Sequence, residues 1–278
     1  MVGTIATSPE KERVERTAEA PAPAPIHLPE PRLPAWMGVN GFVDIHFHLL
    51  WGLDDGPDQV SVSSRLGELA YQRGARAIVA TPHCSARYPF DAAQTAAKVA
   101  LLDRSFEEPA IFAGCEIELN DESLRRIATD PRRYCLAGGC YALVELPHRF
   151  PHDRLGIVFH RLRDLGLRPI LAHPERYPLL WDHPELAVEW TQAGGYLQLT
   201  AAAFTGRFGR RAESAAVALV QAGCAHFVAS DAHDLTKRPP DLQAAFERVY
   251  QLAGQSVAAR LFTYHPLAVL HDDPLPSV

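Results

Sequence analysis

GFVDIHFHLLWGLDDGPD, residues 41–58, decides how this chain folds. Val43, Ile45 and Phe47 alternate with Asp44, His46 and His48, the period-two pattern of a strand. Side chains two apart in a strand share a side, so His46 and His48 point the same way. Leu49, Leu50 and Trp51 lead into Gly52, and Asp54-Asp55-Gly56-Pro57 has the composition of a turn. One strand thus ends in two imidazoles and at least one carboxylate. That donor set suits a divalent transition metal such as Zn, Mn or Fe. An HxH pair by itself reads equally as surface or core histidines, so the remaining strand ends have to be compared with it.

Downstream the same layout recurs. Residues 60–73 carry Val62, Leu66, Leu69 and Ala70 on one helical face, with Gly74 where a C-terminal cap belongs. ARAIVATPH (75–83) is a buried strand ending in His83, and residues 91–106 are helical. AIFAGCEIEL (110–119) is a strand carrying Glu116 and Glu118, followed by a short helix near 121–128. YALVELPH (141–148) carries Glu145, and RPILAHPERY (168–177) ends in His173, Glu175 and Arg176. YLQLTAAAF (196–204) carries no metal-capable residue, and AHFVASDAHD (225–234) ends in Asp231, His233 and Asp234. Helices are expected between these strands at 153–165, 184–193 and 212–222, and after the last at 240–253 and 255–262. Seven apolar strands alternating with helices imply a parallel sheet covered on both faces. Neither a GxGxxG turn nor a P-loop supports an open doubly wound sheet, so a closed or distorted barrel is expected, with its site at the C-terminal strand ends.

Composition narrows the class. The chain has 278 residues, 47% of them apolar, enough for a full core. A formal net charge of −6 argues against nucleic acid as the main partner. Cys84, Cys115, Cys135, Cys140 and Cys224 form no CxxC pair or disulfide framework and read as reduced thiols. No stretch approaches a membrane span, and the N-terminus lacks the apolar core of a secretory signal, so a cytoplasmic protein is expected. Residues 1–36 are charged, then rich in Pro and Ala, and read as a disordered tail ahead of one domain over 37–278.

Six of the seven strands end in, or carry near their ends, metal-capable groups: His46 and His48, His83, Glu116, Glu145, His173, and Asp231 with His233. Polar residues are common where strands meet loops, but repetition at this rate points to a shared site for two or three ions. Mixed N/O ligation without thiolate favours Mn, Fe or Zn. Arg176 and Arg238 follow two of these ends and offer planar forks matched to phosphate oxygens. Metals beside arginines point to phosphate-ester hydrolysis by metal-activated hydroxide.

VDIHFHLLWGLDDGP, TPHC, GCEIEL, YALVELPH, AHPERY, TGRFG and SDAHDLTKRPP, in that order, resemble the PHP (polymerase and histidinol phosphatase) superfamily. Within it the resemblance is greatest to the bacterial manganese-dependent protein tyrosine phosphatases of capsule and exopolysaccharide loci, and it covers about residues 42–265. It implies an α/β fold, a distorted (β/α)7 barrel, with a trinuclear site. His46, His48, Glu116 and Asp231 would serve one ion; Glu116, Glu145 and His173 a second; Asp55, His83 and His233 a third. Arg176 and Arg238 would contact phosphate. The implied cofactor is Mn2+, in two or three ions, with Fe or Zn as alternatives. The implied partner is a phosphotyrosine protein, a bacterial tyrosine kinase. A histidinol-phosphate or other small-molecule phosphatase, and a non-catalytic phosphotyrosine-binding regulator, are the alternative functions. Cysteine-dependent tyrosine phosphatases resemble one another in a C-x5-R loop, which none of the five cysteines begins. His148, His152, His160, His183, His226, His265 and His271 fit no strand-end position and read as surface or structural. Glu118 and Glu175 read as outer or solvated partners of the ligands.

Overall fold

The computed structural model describes Met1, residues 41–147 and residues 149–275. The tail expected over 1–36 lies, beyond Met1, outside the described residues, as does His148. The strands are β1 (Phe42–Phe47), β2 (Ala75–Ala80), β3 (His83–Cys84), β4 (Ala110–Ala113), β5 (Glu116–Glu118), β6 (Tyr141–Glu145), β7 (Arg168–Ala172), β8 (Tyr196–Thr200) and β9 (Phe227–Ala229). Every ladder is parallel. One sheet has the order β1-β2-β4, the other β3-β5-β6-β7-β8-β9.

Two of the seven expected strands are therefore broken in half, and the halves join different sheets. The first break falls at Thr81-Pro82. Proline has no N–H for the ladder, while its carbonyl accepts from the Glu116 N–H (3.1 Å). The second falls at Gly114-Cys115, where the Gly114 N–H donates to the Ala80 carbonyl (3.0 Å). A Cβ at Gly114 would lie 2.8 Å from Leu136 Cδ2 and 2.9 Å from Val79 Cγ1, so this close crossing requires glycine. Beyond the breaks, His83 pairs with Glu116 in register. The kinks thus set a histidine beside a carboxylate.

At the far edges, β1 is linked to the segment after β9 by a single bridge, Phe47 with Ala232. The Asp231 N–H donates to the His46 carbonyl and the His48 N–H to the Ala232 carbonyl, both at 2.9 Å. The architecture is a parallel α/β fold in two sheets. They share one core: Val43, Ile45, Val79 and Phe112 from the first pack with Tyr141, Leu143, Ile170 and Phe227 from the second.

Helices cover the outer faces: α1 (Val60–Gln72), α2 (Ala92–Asp103), α3 (Asp121–Thr129), α4 (Leu155–Asp164), α5 (Pro178–Asp182), α6 (Glu185–Gln192), α7 (Gly209–Gln221), α8 (Gln243–Ala259) and α9 (His265–Leu270). Asp91 caps α2 by accepting from the Ala93 and Gln94 N–H groups. Asn120 and Ser123 form a reciprocal capping box on α3; such caps are each worth about 1 kcal/mol. Gly74 ends α1 with φ of 94°, where an L side chain would be strained. The two helical stretches expected after residue 240 form α8, broken internally by Gly254 at φ 84°, followed by a wide turn at Arg260–Tyr264. Sequence periodicity gave no sign of α5 or α9. Val269 and Leu270 of α9 join the central core beside Val43 and Tyr141. No described helix is long and apolar enough to cross a membrane.

Candidate metal centre

His46 and His48 end β1 fully buried, with their Nε2 atoms 3.2 Å apart. Same-side placement two residues apart explains that convergence. Glu116, at the start of β5, reaches four of the surrounding imidazoles. Its Oε1 lies 2.7 Å from His173 Nε2. Its Oε2 lies 3.2 Å from His46 Nε2, 3.3 Å from His48 Nε2 and 3.1 Å from His83 Nδ1. Asp231 Oδ1 stands 3.4 Å from His46 Nε2 and 3.5 Å from His48 Nε2. Asp55, from the turn after β1, is 3.4 Å from His83 Nε2 and 3.2 Å from His233 Nε2. Glu145, at the end of β6, is 3.2 Å from His83 Nδ1.

Every metal-capable residue singled out in the sequence lies in this one cluster. Its donor atoms gather into four overlapping groups, each within 4.8 Å: His48, Asp55, His83 and His233; His46, His48 and Asp231; His46, Glu116 and His173; and His83, Glu116 and Glu145. Glu145 thus groups with His83, whereas the expected grouping joined it to His173. Two of the residues are held in left-handed backbone, His173 at φ 39° and Asp231 at φ 52°. Such strain costs on the order of 1–3 kcal/mol and persists only where the surroundings fix it.

The imidazole orientations suit metal ligation. Gln198 Nε2 donates to the Leu199 carbonyl (2.8 Å), which leaves its Oε1 to accept from His46 Nδ1 (2.8 Å). Asp54 Oδ2 accepts from His48 Nδ1 (2.6 Å), and the Asp231 carbonyl accepts from His233 Nδ1 (3.0 Å). In each case the outward nitrogen carries the proton and Nε2 carries the lone pair, as ligating histidines require; at His233 that lone pair accepts from Arg238 Nη1 (3.0 Å). Buried His173 Nδ1 has no hydrogen-bond partner, while His83 Nδ1 faces Glu116 and Glu145.

The electrostatics favour added positive charge. Burial alone would lower the His83 pKa, but hydrogen bonds to Glu116 and Glu145 push it up to about 11. His48 is likewise pushed to about 9, burial being outweighed by Asp54 and Glu116. Burial would raise Asp231, yet His46, Arg238 and Arg176 hold it well below the usual carboxylate range. Buried carboxylates in this number need cations close by. Divalent ions would use the same lone pairs that the raised imidazoles offer to protons. The donor set and the tautomers therefore fit bound divalent metal.

Both arginines singled out in the sequence lie on the rim and share one acceptor. Arg176 Nη1 donates to Asp231 Oδ2 at 2.6 Å, and Arg238 Nη2 makes a shorter contact to the same oxygen. Arg176 also lies over the Phe208 ring, 4.5 Å from its centroid. The buried Arg238 Nε has no partner.

Glu175 does not orient a ligand. Its Oε1 accepts from the Thr200 N–H (2.9 Å), tying the turn after β7 to β8. Glu118 is half-buried and accepts from Asn120. Of the histidines read as surface or structural, His152, His160, His183 and His271 are exposed, His226 is half-buried and His265 is buried. All five cysteines are free.

The sequence reading passed over Gln198, because amides are weak metal donors and β8 therefore looked empty. A single amide inside the otherwise apolar YLQLT strand was the available signal. We expect Gln198→Leu to weaken metal affinity about 10–100-fold, the usual cost of losing a partner that orients a ligand. Gln198→Glu, which keeps the acceptor, should restore most of it. Titration of metal-free protein checks this, and equal affinity in all three proteins would refute the role.

Residues 42–271 match the family described as capsular polysaccharide synthesis, CpsB/CapC. The chain is 31% identical over 209 residues to CapC of Staphylococcus aureus, covering 73% of this chain and 82% of that one. It is 31% identical over 201 residues to the tyrosine-protein phosphatase YwqE of Bacillus subtilis, covering 70% and 79%. It is 27% identical over 241 residues to the tyrosine-protein phosphatase CpsB of Streptococcus pneumoniae, covering 83% and 98%. Among solved structures, one from a study of YwqE and CpsB, described as unique metal-dependent tyrosine phosphatases, superposes with a TM-score of 0.77. It has 28% identity over 84% of this chain and 96% of that chain. A beta-aspartyl dipeptidase from Fervidobacterium islandicum shares the fold alone, with a TM-score of 0.58 at 15% identity over 83% of this chain and 72% of that chain.

Proposed function

Because this chain belongs to the CpsB/CapC family of capsular polysaccharide synthesis, we propose that it is a metal-dependent tyrosine-protein phosphatase whose substrates are bacterial tyrosine kinases controlling capsule or exopolysaccharide assembly. The observation that carries this reading is the joining of four overlapping imidazole–carboxylate groups to two arginines through Asp231. The proposed ligands are His46, His48, Asp55, His83, Glu116, Glu145, His173, Asp231 and His233. The proposed cofactor is Mn2+, in two or three ions. When bound, such ions supply activation of water near neutral pH and neutralise charge on the phosphoryl oxygens.

The chain's own residues do the rest. Gln198, Asp54 and the Asp231 carbonyl hold three imidazoles in the ligating tautomer. Arg176 and Arg238 bind and orient the phosphate, each with guanidinium donors beyond those given to Asp231. Phe208 supports the Arg176 plane from one side. The phenolate that leaves has a pKa of about 10, so it needs less protonation than an alkoxide. We take the domain as residues 37–278 and its architecture as a distorted (β/α)7 barrel, a reading that the all-parallel strands and the Phe47–Ala232 bridge support. Action in the cytoplasm follows from the proposed substrates and suits five free thiols.

The test is phosphate release from a phosphotyrosine peptide and from histidinol phosphate, using chelated protein with and without Mn2+. Release from the peptide that vanishes on chelation and returns with Mn2+ is expected. Release from histidinol phosphate alone would move the protein to small-molecule metabolism. Release from neither, with metal bound, would refute the enzyme.

A further inference from the structure

Two cavities open beside the metal centre. The first, of about 270 Å³, is bounded by Thr205, Arg207, Ser230, Asp231, Arg238 and Asp241, with Phe208 at its side. Its walls are largely polar, and Arg207 Nη1 is already bound to the Lys237 carbonyl (2.8 Å). The second cavity, of about 290 Å³, lies against Glu145, His173 and Arg176. Its other walls are Leu146, Pro147, Arg149 and Phe150 from the segment after β6, and Tyr177, Pro178 and Leu179 from the segment after β7. It therefore touches two metal-capable side chains and one rim arginine at one end, and beyond them offers apolar side chains beside the Arg149 cation.

The apolar walls are braced. The Leu146 N–H donates to Tyr177 Oη (2.9 Å), which fixes that ring across the gap between the two segments. The Tyr177 ring lies 5.5 Å from the His173 ring. Phe150, Tyr177 and Leu179 each pack on the outer core cluster while keeping part of their surface open. A half-covered apolar wall of this kind gains free energy when a flat apolar group covers it.

We propose that this second cavity is the aryl subsite, taking the phenyl ring of the substrate phosphotyrosine; the assignment rests on the tyrosine-phosphatase reading above. A phosphate held between Arg176 and the ligands Glu145 and His173 directs its ester oxygen into this cavity. A ring joined to that oxygen lies against Phe150, Tyr177 and Leu179. The short alkyl group of a phosphoserine leaves those walls uncovered. These apolar walls thus select aryl over alkyl phosphates, and the first cavity receives flanking peptide groups.

The experiment measures kcat/KM of the Mn-loaded protein for phenyl phosphate, a phosphotyrosine peptide and the matching phosphoserine peptide. Wild type is compared with Phe150→Ala, Leu179→Ala and the double variant. Each single change is expected to lower the aryl values about 10-fold, the usual discrimination of an apolar pocket, and to leave the phosphoserine value and inhibition by inorganic phosphate unchanged. Unchanged phosphate inhibition also shows that the variants are folded with an intact centre; Leu179→Met, which keeps apolar volume, should restore the aryl rate of its position. Equal losses on aryl and alkyl substrates, or none on either, overturn the aryl subsite while leaving the phosphatase intact. A wild-type protein inactive on all three refutes the phosphatase reading itself, and the subsite falls with it.

Discussion

Glu116→Gln yields a folded protein that hydrolyses a phosphotyrosine peptide at least about 10³-fold more slowly than wild type, more than the 10–100-fold typical of losing an outer partner. Glu116 is the one carboxylate shared by two of the four donor groups, as the imidazoles of His46, His48 and His83 also are. Its two oxygens together face His46, His48, His83 and His173 within 3.3 Å. A carboxylate offers lone pairs on both oxygens; glutamine keeps the shape but has only one acceptor atom, the other being a donor. The amide N–H₂ would then point at imidazole nitrogens whose lone pairs face the same way. Metal content should fall by at least one ion per chain. Glu116 helps to hold His83 and His48 protonated, so without its charge these buried imidazoles lose a partner and the metal-free variant should be less stable than metal-free wild type. Elemental analysis, circular dichroism and turnover together decide it. Full metal content with near-normal turnover would remove Glu116 from the centre.

The second large effect is expected at the arginines. Arg176→Ala and Arg238→Ala should each lower kcat/KM about 10²–10³-fold, the cost of removing a preorganised donor from an active site. Both guanidinium groups contact Asp231 Oδ2. The double variant should therefore lose less than the product of the single losses, because the two residues share a partner and a ligand. Arg176→Lys keeps the charge but gives up the planar fork and the stacking on Phe208, so it should recover only part of the rate. Inhibition by inorganic phosphate should weaken in parallel with the rate while bound metal stays at the wild-type level. A rate loss that follows metal loss instead would make the arginines supports of Asp231 rather than contacts for phosphate.

Much of this site was legible because its residues recur at one kind of position. Alternation in FVDIHFH put His46 and His48 on one side, and their Nε2 atoms lie 3.2 Å apart. Apolar strands that repeatedly ended in His, Asp or Glu pointed to a single cluster, and all of those residues gather there. Asp54 and Asp55, adjacent in sequence, could not be told apart by composition. In the structure Asp54 grips His48 Nδ1 and the His83 N–H, while Asp55 faces His83 and His233. Gln198 went unseen because its importance lies in one hydrogen bond to a residue 152 positions away. The breaks at Pro82 and Gly114 were hidden inside runs that read as continuous strands. Apolar periodicity reports burial, whereas the switch of sheet partner comes from a missing N–H and a close crossing of Leu136 over Gly114.

The sequence by itself determined the class of fold, the parallel alternation and the donor types at the strand ends, because periodicity and residue chemistry are local properties. Only the tertiary structure decided which imidazole nitrogen faces inward and that Glu145 groups with His83. It also decided that Asp231 ties both arginines to the centre and that the cavity walled by Phe150, Tyr177 and Leu179 lies on the β6–β7 side. These depend on side-chain directions set by packing between segments distant in the chain. A buried carboxylate or imidazole takes whichever partner satisfies its charge and hydrogen bonds in the folded interior.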